Sequence, residues 1–199
     1  MTVKAVLFDF GGVLVRTGDQ QFRREWEKNL GLDEGQLSRL VFESEAARQA
    51  TLGVLPERAI WDHVAATLKL DDGRLQQLNN DFWKCDRLDL QLVQYLKGLR
   101  PNYKTGILSN AWSNGRSLFT DTYHLDNVVD EMIISAEVGL AKPDIRIYQY
   151  AAQKLGVKPE EAIFVDDMPN NVSGALNAGM HGIRFTGTPE LIELLSHLV

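Results

Sequence analysis

The chain has 199 residues, 44% hydrophobic and 24% charged, the composition of an ordinary soluble globular protein with one full core, or a core plus a small accessory domain. A formal net charge of −6 with both signs interspersed leaves no broad basic field for a nucleic acid, and no apolar run reaches membrane-spanning length. One cysteine, Cys85, excludes an internal disulfide framework and a multi-cysteine metal site; the N-terminus lacks a secretory signal pattern, so the expected location is the cytoplasm.

Taken in order, Val3, Ala5, Val6, Leu7 and Phe8 form an apolar run broken only by Lys4, as expected of a strand buried on both faces of a parallel sheet. The run stops at Asp9, with Gly11 and Gly12 close behind. A carboxylate therefore falls at the carboxyl end of a buried strand, where open α/β sheets bind ligands. Considered alone, Asp9 could equally cap a turn to which the glycines lend backbone freedom.

Residues 16–85 are helical in character. "GDQQFRREWEKNLG" sets Phe22, Trp26 and Leu30 at helical spacing and ends in Gly31, and "DEGQLSRLVFESEAARQATLG" repeats the pattern to Gly53. "PERAIWDHVAATLKL" opens with Pro56, tolerated in a first turn, and "DDGRLQQLNNDFWK" follows. Four helices with no convincing strand predict a small bundle, with Cys85 partly buried on a helix.

Beyond this stretch helices and strands alternate: helix "LDLQLVQYLKGLR", strand "YKTGILSN", helix or helix-loop "WSNGRSLFTDTY", strand "EMIISAE", helix "PDIRIYQYAAQKLG", strand "AIFVDD", helix "MPNNVSGALNAG", strand "HGIRF" and helix "TPELIELLSHL". The alternation predicts an α/β fold, a three-layer Rossmann-like core with a parallel sheet over residues 1–15 and 86–199. The connection from Asp9 to the next strand end at Ser109 is far longer than an ordinary crossover. Residues 16–85 are accordingly expected to be an inserted helical cap of four-helix-bundle type, packed over the carboxyl edge of the sheet.

Three strands end in polar groups on that edge: Asp9, then Ser109 and Asn110, then Asp166 and Asp167; Lys142 lies in the loop "GLAKPD". Carboxylates crowded at one site resist ionising unless a cation neutralises them, and Mg²⁺ suits a site of few carboxylates that also receives a phosphate. Ser109 and the backbone near Asn110 can donate to phosphate oxygens, and Lys142 supplies a point charge. The set fits phosphoryl transfer through a carboxylate nucleophile. Each member also has a structural reading, as turn former, solvated lysine or helix cap.

The stretches "DFGGV", "LSN", "KP" and "VDDMPNN" resemble, in order, the four signature motifs of the haloacid dehalogenase-like (HAD) hydrolase superfamily, and the resemblance covers nearly the whole chain. It is most similar to the branch containing a bacterial glucose-1-phosphate phosphatase and the N-terminal domain of soluble epoxide hydrolases. The resemblance implies a Mg²⁺-dependent phosphatase of small phosphorylated metabolites, a sugar phosphate among them, with Asp9 as the nucleophile that becomes an aspartyl-phosphate. It further implies that Asp9, the carbonyl of Gly11 and Asp167 bind the metal, with Asp166 doing so directly or through water. Ser109, Asn110, Gly11 and Lys142 would hold the phosphate, with Asn171 orienting its neighbours.

One position departs from the pattern. Most phosphatases of this kind carry a second aspartate, a general acid, two residues after the nucleophile, where this chain has Gly11. That predicts a substrate with a good leaving group, such as a sugar 1-phosphate or acyl phosphate, or else a phosphate-binding or interaction module. A 2-haloacid dehalogenase also lacks that aspartate, but has little use for the Asp166–Asp167 pair, and a receiver domain would place its acidic pair after the first strand. Arg16, Arg23, Arg24, Arg48, Trp26 and Trp61 are candidate substrate contacts by type alone; Trp112, Ser113 and Asn114 lie nearer the second motif. The four histidines show no ligand spacing.

Overall fold

The structure is a computed structural model that describes residues 2–198, so Met1 and Val199, the outer ends of the expected core segments, lie outside it. Five strands form the main sheet: β1 (Ala5–Phe8), β4 (Lys104–Ser109), β5 (Glu131–Ile134), β6 (Ala162–Asp166) and β7 (His181–Arg184), in the order β5-β4-β1-β6-β7, all parallel. The apolar run at the start of the chain is thus the central strand, paired on both sides and buried throughout. Because side chains alternate across a strand, Val6 and Phe8 join one apolar cluster and Ala5 and Leu7 another. The first is closed by α6 (Leu90–Leu99) and α11 (Thr188–Ser196), and the second by α9 (Ile145–Leu155) and α10 (Pro169–Asn177).

Between β1 and α6 the chain forms five helices: α1 (Gln21–Leu30), α2 (Gln36–Phe42), α3 (Glu45–Thr51), α4 (Arg58–Leu68) and α5 (Asp72–Phe82). The sequence predicts four, and the fifth arises where one predicted helical segment breaks at Ser44. There the Ser44 hydroxyl accepts from the Ala47 N–H at 3.1 Å and starts a new helix. Trp26, Leu37, Val41, Ile60, Trp61, Leu78 and Phe82 bury one another in a third apolar cluster, separate from the two that flank the sheet.

Strands occur here too, against expectation. β2 (Val15–Thr17) and β3 (Asp86–Leu88) pair antiparallel, carrying the chain into and out of the helical segment side by side. Their three-residue length and the charges of Arg16, Asp86 and Arg87 hide them from any test of apolar alternation. Cys85 is buried in the turn before β3, not on a helix. Two further segments differ in detail. "EMIISAE" leaves the strand at Ile134 and becomes the short helix α8 (Ser135–Val138), and "WSNGRSLFTDTY" forms a single α-turn, α7 (Gly115–Ser117), followed by a π-helical turn over Leu118–Thr122. Among the described residues no helix is long and apolar enough to cross a membrane.

The helical segment touches the sheet's carboxyl edge at Gly53, which follows α3 with φ +71° and passes so close to α8 that an added Cβ would lie 2.1 Å from the Ala136 carbonyl oxygen. Both the left-handed backbone and the approach of two main chains need glycine. Gly53→Ala should therefore lower the unfolding free energy by about 1–2 kcal/mol, measured by urea denaturation, an effect a Gly31→Ala control, with no atom near its added Cβ, should not exceed.

Candidate functional site

Asp9 follows the last residue of β1, and its N–H donates to the Val165 carbonyl of β6 at 2.8 Å, which continues the ladder one residue past the strand. The next turn is held by two main-chain bonds, Val15 N–H to the Phe10 carbonyl and Gly12 N–H to the Val15 carbonyl, both 2.8 Å. The Phe10 N–H donates to Asp9 Oδ1 at 2.7 Å, fixing the carboxylate over the end of the sheet.

Lys142 comes to this carboxylate from the loop between α8 and α9. Its Nζ, fully buried, lies 2.8 Å from Asp9 Oδ1 and 2.6 Å from Asp166 Oδ2. Two backbone-directed bonds hold the lysine in place: Asn110 Nδ2 donates to the Lys142 carbonyl at 2.9 Å, and the Lys142 N–H donates to Asn110 Oδ1 at 2.8 Å. The Asn110 side-chain amide is engaged on both atoms with the neighbouring loop and so positions Lys142; the phosphate contact expected of Asn110 is one for the backbone N–H groups beside it.

Asp166 ends β6 with no exposed side-chain surface and is surrounded by donors. Asn171 Nδ2 lies 3.1 and 3.0 Å from its two oxygens, the Met168 N–H donates to Oδ1 at 2.8 Å, and Lys142 takes Oδ2. Asn171 is supported in turn by Tyr148, whose hydroxyl donates to the Asn171 carbonyl at 2.7 Å; burial raises that phenol well above its ordinary value, so it stays a donor. Asp167, half-buried, leans against Gly12, where an added Cβ would lie 2.5 Å from its carboxyl carbon. Gly12 also has φ +81°, so two independent constraints keep that residue a glycine.

Asp9, Asp166 and Asp167 each offer an oxygen within 4.8 Å of the others, a donor set of three hard oxygens facing a single ammonium. Burial pushes the Asp9 carboxyl up to about 7, the Asp166 charge adds to the rise, and Lys142 and the Phe10 N–H oppose it. Asp167 is also raised, first by burial and then by Asp166. Crowded carboxylates that resist ionising are what a divalent cation relieves, so this set fits one by its chemistry. Ser109, buried at the end of β4, makes no side-chain hydrogen bond to any described residue and keeps its hydroxyl available. Gly11 is exposed, and an added Cβ there would have no atom within 4 Å.

The structure thus brings Asp9, Ser109, Asn110, Lys142, Asp166, Asp167 and Asn171 to one sheet edge. It does not leave the nominated arginines free. Arg16 pairs with Asp89 and Arg24 with Asp19, Arg48 lies 2.7 Å from Glu45, and buried Arg23 donates to the Phe82 carbonyl at 2.9 Å and lies 3.2 Å from Asp86. Trp26 and Trp61 are buried among the helices. Sequence reasoning missed Tyr148 and the close approach of Gly12 to Asp167. Tyr148 reads as one more apolar-face residue of an amphipathic helix, and only the glycine pair after Asp9 hinted at the second.

A family model of haloacid dehalogenase-like hydrolases matches residues 3–179. A sesquiterpene phosphatase of Aspergillus oryzae is 24% identical over 199 residues, covering 100% of this chain and 97% of that protein. A D-ribitol-5-phosphate phosphatase of Bacteroides thetaiotaomicron is 25% identical over 182 residues, 85% of each chain. Among solved structures, a HAD-family enzyme of Bacteroides thetaiotaomicron in complex with magnesium and inorganic phosphate superposes with TM-score 0.74 at 21% identity, over 92% of this chain and 94% of that one. An L-2-haloacid dehalogenase of Xanthobacter autotrophicus with chloropropionic acid covalently bound superposes with TM-score 0.67 at 24% identity, over 98% and 83%.

The raised Asp9 has a thermodynamic consequence. The folded state keeps a proton that the unfolded chain, with an ordinary value of 3.8, releases, so its contribution to stability is full below about pH 4 and disappears as pH rises towards 7. In chelator-treated protein the unfolding free energy of Asp9→Asn relative to wild type should therefore increase from pH 4 to 7 and level off above. A flat difference across that window would contradict the raised value.

Proposed function

This chain belongs to the haloacid dehalogenase-like hydrolase family, and on that footing we propose that it is a Mg²⁺-dependent phosphatase of small phosphorylated metabolites, working through an aspartyl-phosphate on Asp9. The observation that carries the reading is the clustering of Asp9, Asp166 and Asp167 around Lys142, with the free hydroxyl of Ser109 on the next strand. Asp9, the Gly11 carbonyl and Asp167 are the proposed holders of Mg²⁺. Asp166, whose oxygens already accept from Lys142, Asn171 and Met168, acts through water. When bound, the ion supplies the positive charge that lets the neighbouring carboxylates ionise together beside a phosphate.

The chain's own groups account for the rest. Ser109 Oγ donates to one phosphate oxygen and Lys142 Nζ sets its charge against another. An Asp9 oxygen attacks phosphorus in line; the bond from phosphorus to the ester oxygen breaks, and the departing oxygen takes its proton from water. A second water then attacks the acyl phosphate at phosphorus, releasing phosphate and restoring the carboxylate. Gly11 leaves the departing oxygen without a side-chain acid, which favours leaving groups of low basicity, anomeric sugar phosphates and acyl phosphates among them. The helices from α1 to α5 are proposed to be the cap that excludes water and meets the leaving group.

The missing acid at Gly11 also favours a second reading, a 2-haloacid dehalogenase, because such enzymes lack it too. The clustering of three carboxylates weighs against that reading, since a halocarboxylate site that works without a cation has little use for clustered negative charge. A third, a binding module on the same fold, differs only in turnover.

A panel of phosphorylated metabolites assayed with Mg²⁺ and with chelator should show phosphate release that needs the metal and falls at least 10³-fold, on the order expected for losing a nucleophile, in Asp9→Asn. Release from no compound would leave the binding module standing, and halide release from 2-haloacids without metal would support the dehalogenase. Since the space beside Gly11 is open, Gly11→Asp should fold normally and speed hydrolysis of primary-alcohol phosphates by about 10–100-fold, with little effect on acyl phosphates. An equal effect on both substrate types would show that the position does not supply the leaving-group proton.

A further inference from the structure

Four tryptophans are present, and three have their indole N–H occupied: Trp26 donates to Asp81 Oδ2 at 2.9 Å, Trp61 to Glu57 Oε1 at 3.3 Å and Trp83 to Asn79 Oδ1 at 3.1 Å. The fourth, Trp112, donates to no described residue and is only half-buried. It also stands closest in sequence to the phosphate-facing hydroxyl. It lies three positions beyond Ser109, at most about 11 Å of extended chain between the two Cα atoms.

The loop that carries Trp112 is firmly held. Asn110 is paired with the Lys142 backbone, the Ala111 N–H donates to Ser135 Oγ at 3.1 Å, and the Ser135 hydroxyl donates to the Ala111 carbonyl at 3.1 Å. From there the indole reaches the helical segment, stacked on Phe42 with centroids 5.9 Å apart and planes at 29°, and edge-on to Trp83 at 6.1 Å. One residue further on, Ser113 Oγ accepts from the Glu57 N–H at 3.2 Å. Phe42 is 46% exposed while its ring packs on two tryptophans, which leaves part of an aromatic surface open beside Trp112. Four arginines of the same segment, Arg16, Arg23, Arg24 and Arg48, are ion-paired elsewhere.

From this arrangement we infer that Trp112 and Phe42 form the platform that selects the leaving group. Its class is an uncharged group that offers a flat apolar face to the rings and an oxygen that accepts from the Trp112 N–H. This rests on the phosphatase reading above and assigns the specificity of that same site. Both an aryl group and a pyranose ring present such a face, and the choice between them falls to the N–H, because a pyranose has ring oxygens to accept it and an unsubstituted phenyl does not.

The test compares kcat/KM for phenyl phosphate, a pyranosyl phosphate, glycerol phosphate and a sugar bisphosphate, each divided by that for acetyl phosphate, whose leaving group has no ring. Wild type, Trp112→Ala, Trp112→Phe and Phe42→Leu are assayed with Mg²⁺. Trp112→Ala should lower the phenyl and pyranosyl ratios about tenfold, mainly through KM, and Phe42→Leu should lower both about threefold. Trp112→Phe, which keeps a ring but lacks the donor, should lower the pyranosyl ratio about fivefold while the phenyl ratio holds. Ratios that do not move in Trp112→Ala, or a loss shared equally by all substrates, would overturn the platform and leave the phosphatase intact. A wild-type preference for the bisphosphate would overturn it as well and pass recognition to a cation such as exposed Arg184. If wild type releases phosphate from nothing, acetyl phosphate included, the phosphatase reading fails and the platform falls with it.

Discussion

Everything at the carboxyl edge of the sheet depends on one buried ammonium. Lys142 Nζ sits between Asp9 and Asp166 with no exposed surface, and removing the ammonium would leave both carboxylates without their cation in a low-dielectric site, at a cost of about 3–5 kcal/mol. The pairing is incomplete by design of the fold, because one ammonium faces three carboxylates once Asp167 is included. Burial first, and then the Asp166 charge, raises the Asp9 and Asp167 carboxyls, and carboxylates that resist ionising in this way make the site receptive to a cation.

The rest of the core can be read as the support of that lysine and its partners. Asn110 grips the lysine's backbone from the end of β4, and Asn171 and the Met168 N–H grip Asp166 from the start of α10. Tyr148, projecting from α9, fixes the α10 turn from behind, where Gly174 allows close contact: an added Cβ would lie 2.8 Å from the Tyr148 hydroxyl. Three loops from three different strands are thereby locked together, which is the preorganisation that a site working by charge placement requires.

The helical segment is joined to this core through few points. The β2–β3 ribbon carries both connections, Gly53 abuts Ala136, and Trp112 enters the segment's aromatic cluster from the core side. Charged groups pin the ribbon at both ends. Asp89, which caps α6, accepts from Arg16 and from Thr188 of the last helix, while buried Arg23 joins the ribbon's Asp86 to the carbonyl that ends α5. The segment's apolar cluster is distinct from the two that flank the sheet, with Trp112 packed against it from the core side.

Much of this was written in the sequence. The apolar run before Asp9, the alternation of strands and helices after Leu88, and the polar residues at strand ends specify a parallel sheet and place Asp9, Ser109, Lys142, Asp166 and Asp167 on one edge, because local patterning fixes strand direction and a parallel sheet aligns carboxyl ends. What the tertiary structure decided is everything set by partners remote in the chain: the engagement of Asn110 with the Lys142 backbone, the bracing of Asn171 by Tyr148, the pairing of β2 with β3, and the meeting of Trp112 with Phe42. None of these leaves a periodic trace. A hydrogen bond or ring contact between residues dozens of positions apart depends on how the loops close, and composition and spacing along the chain carry no measure of that closure.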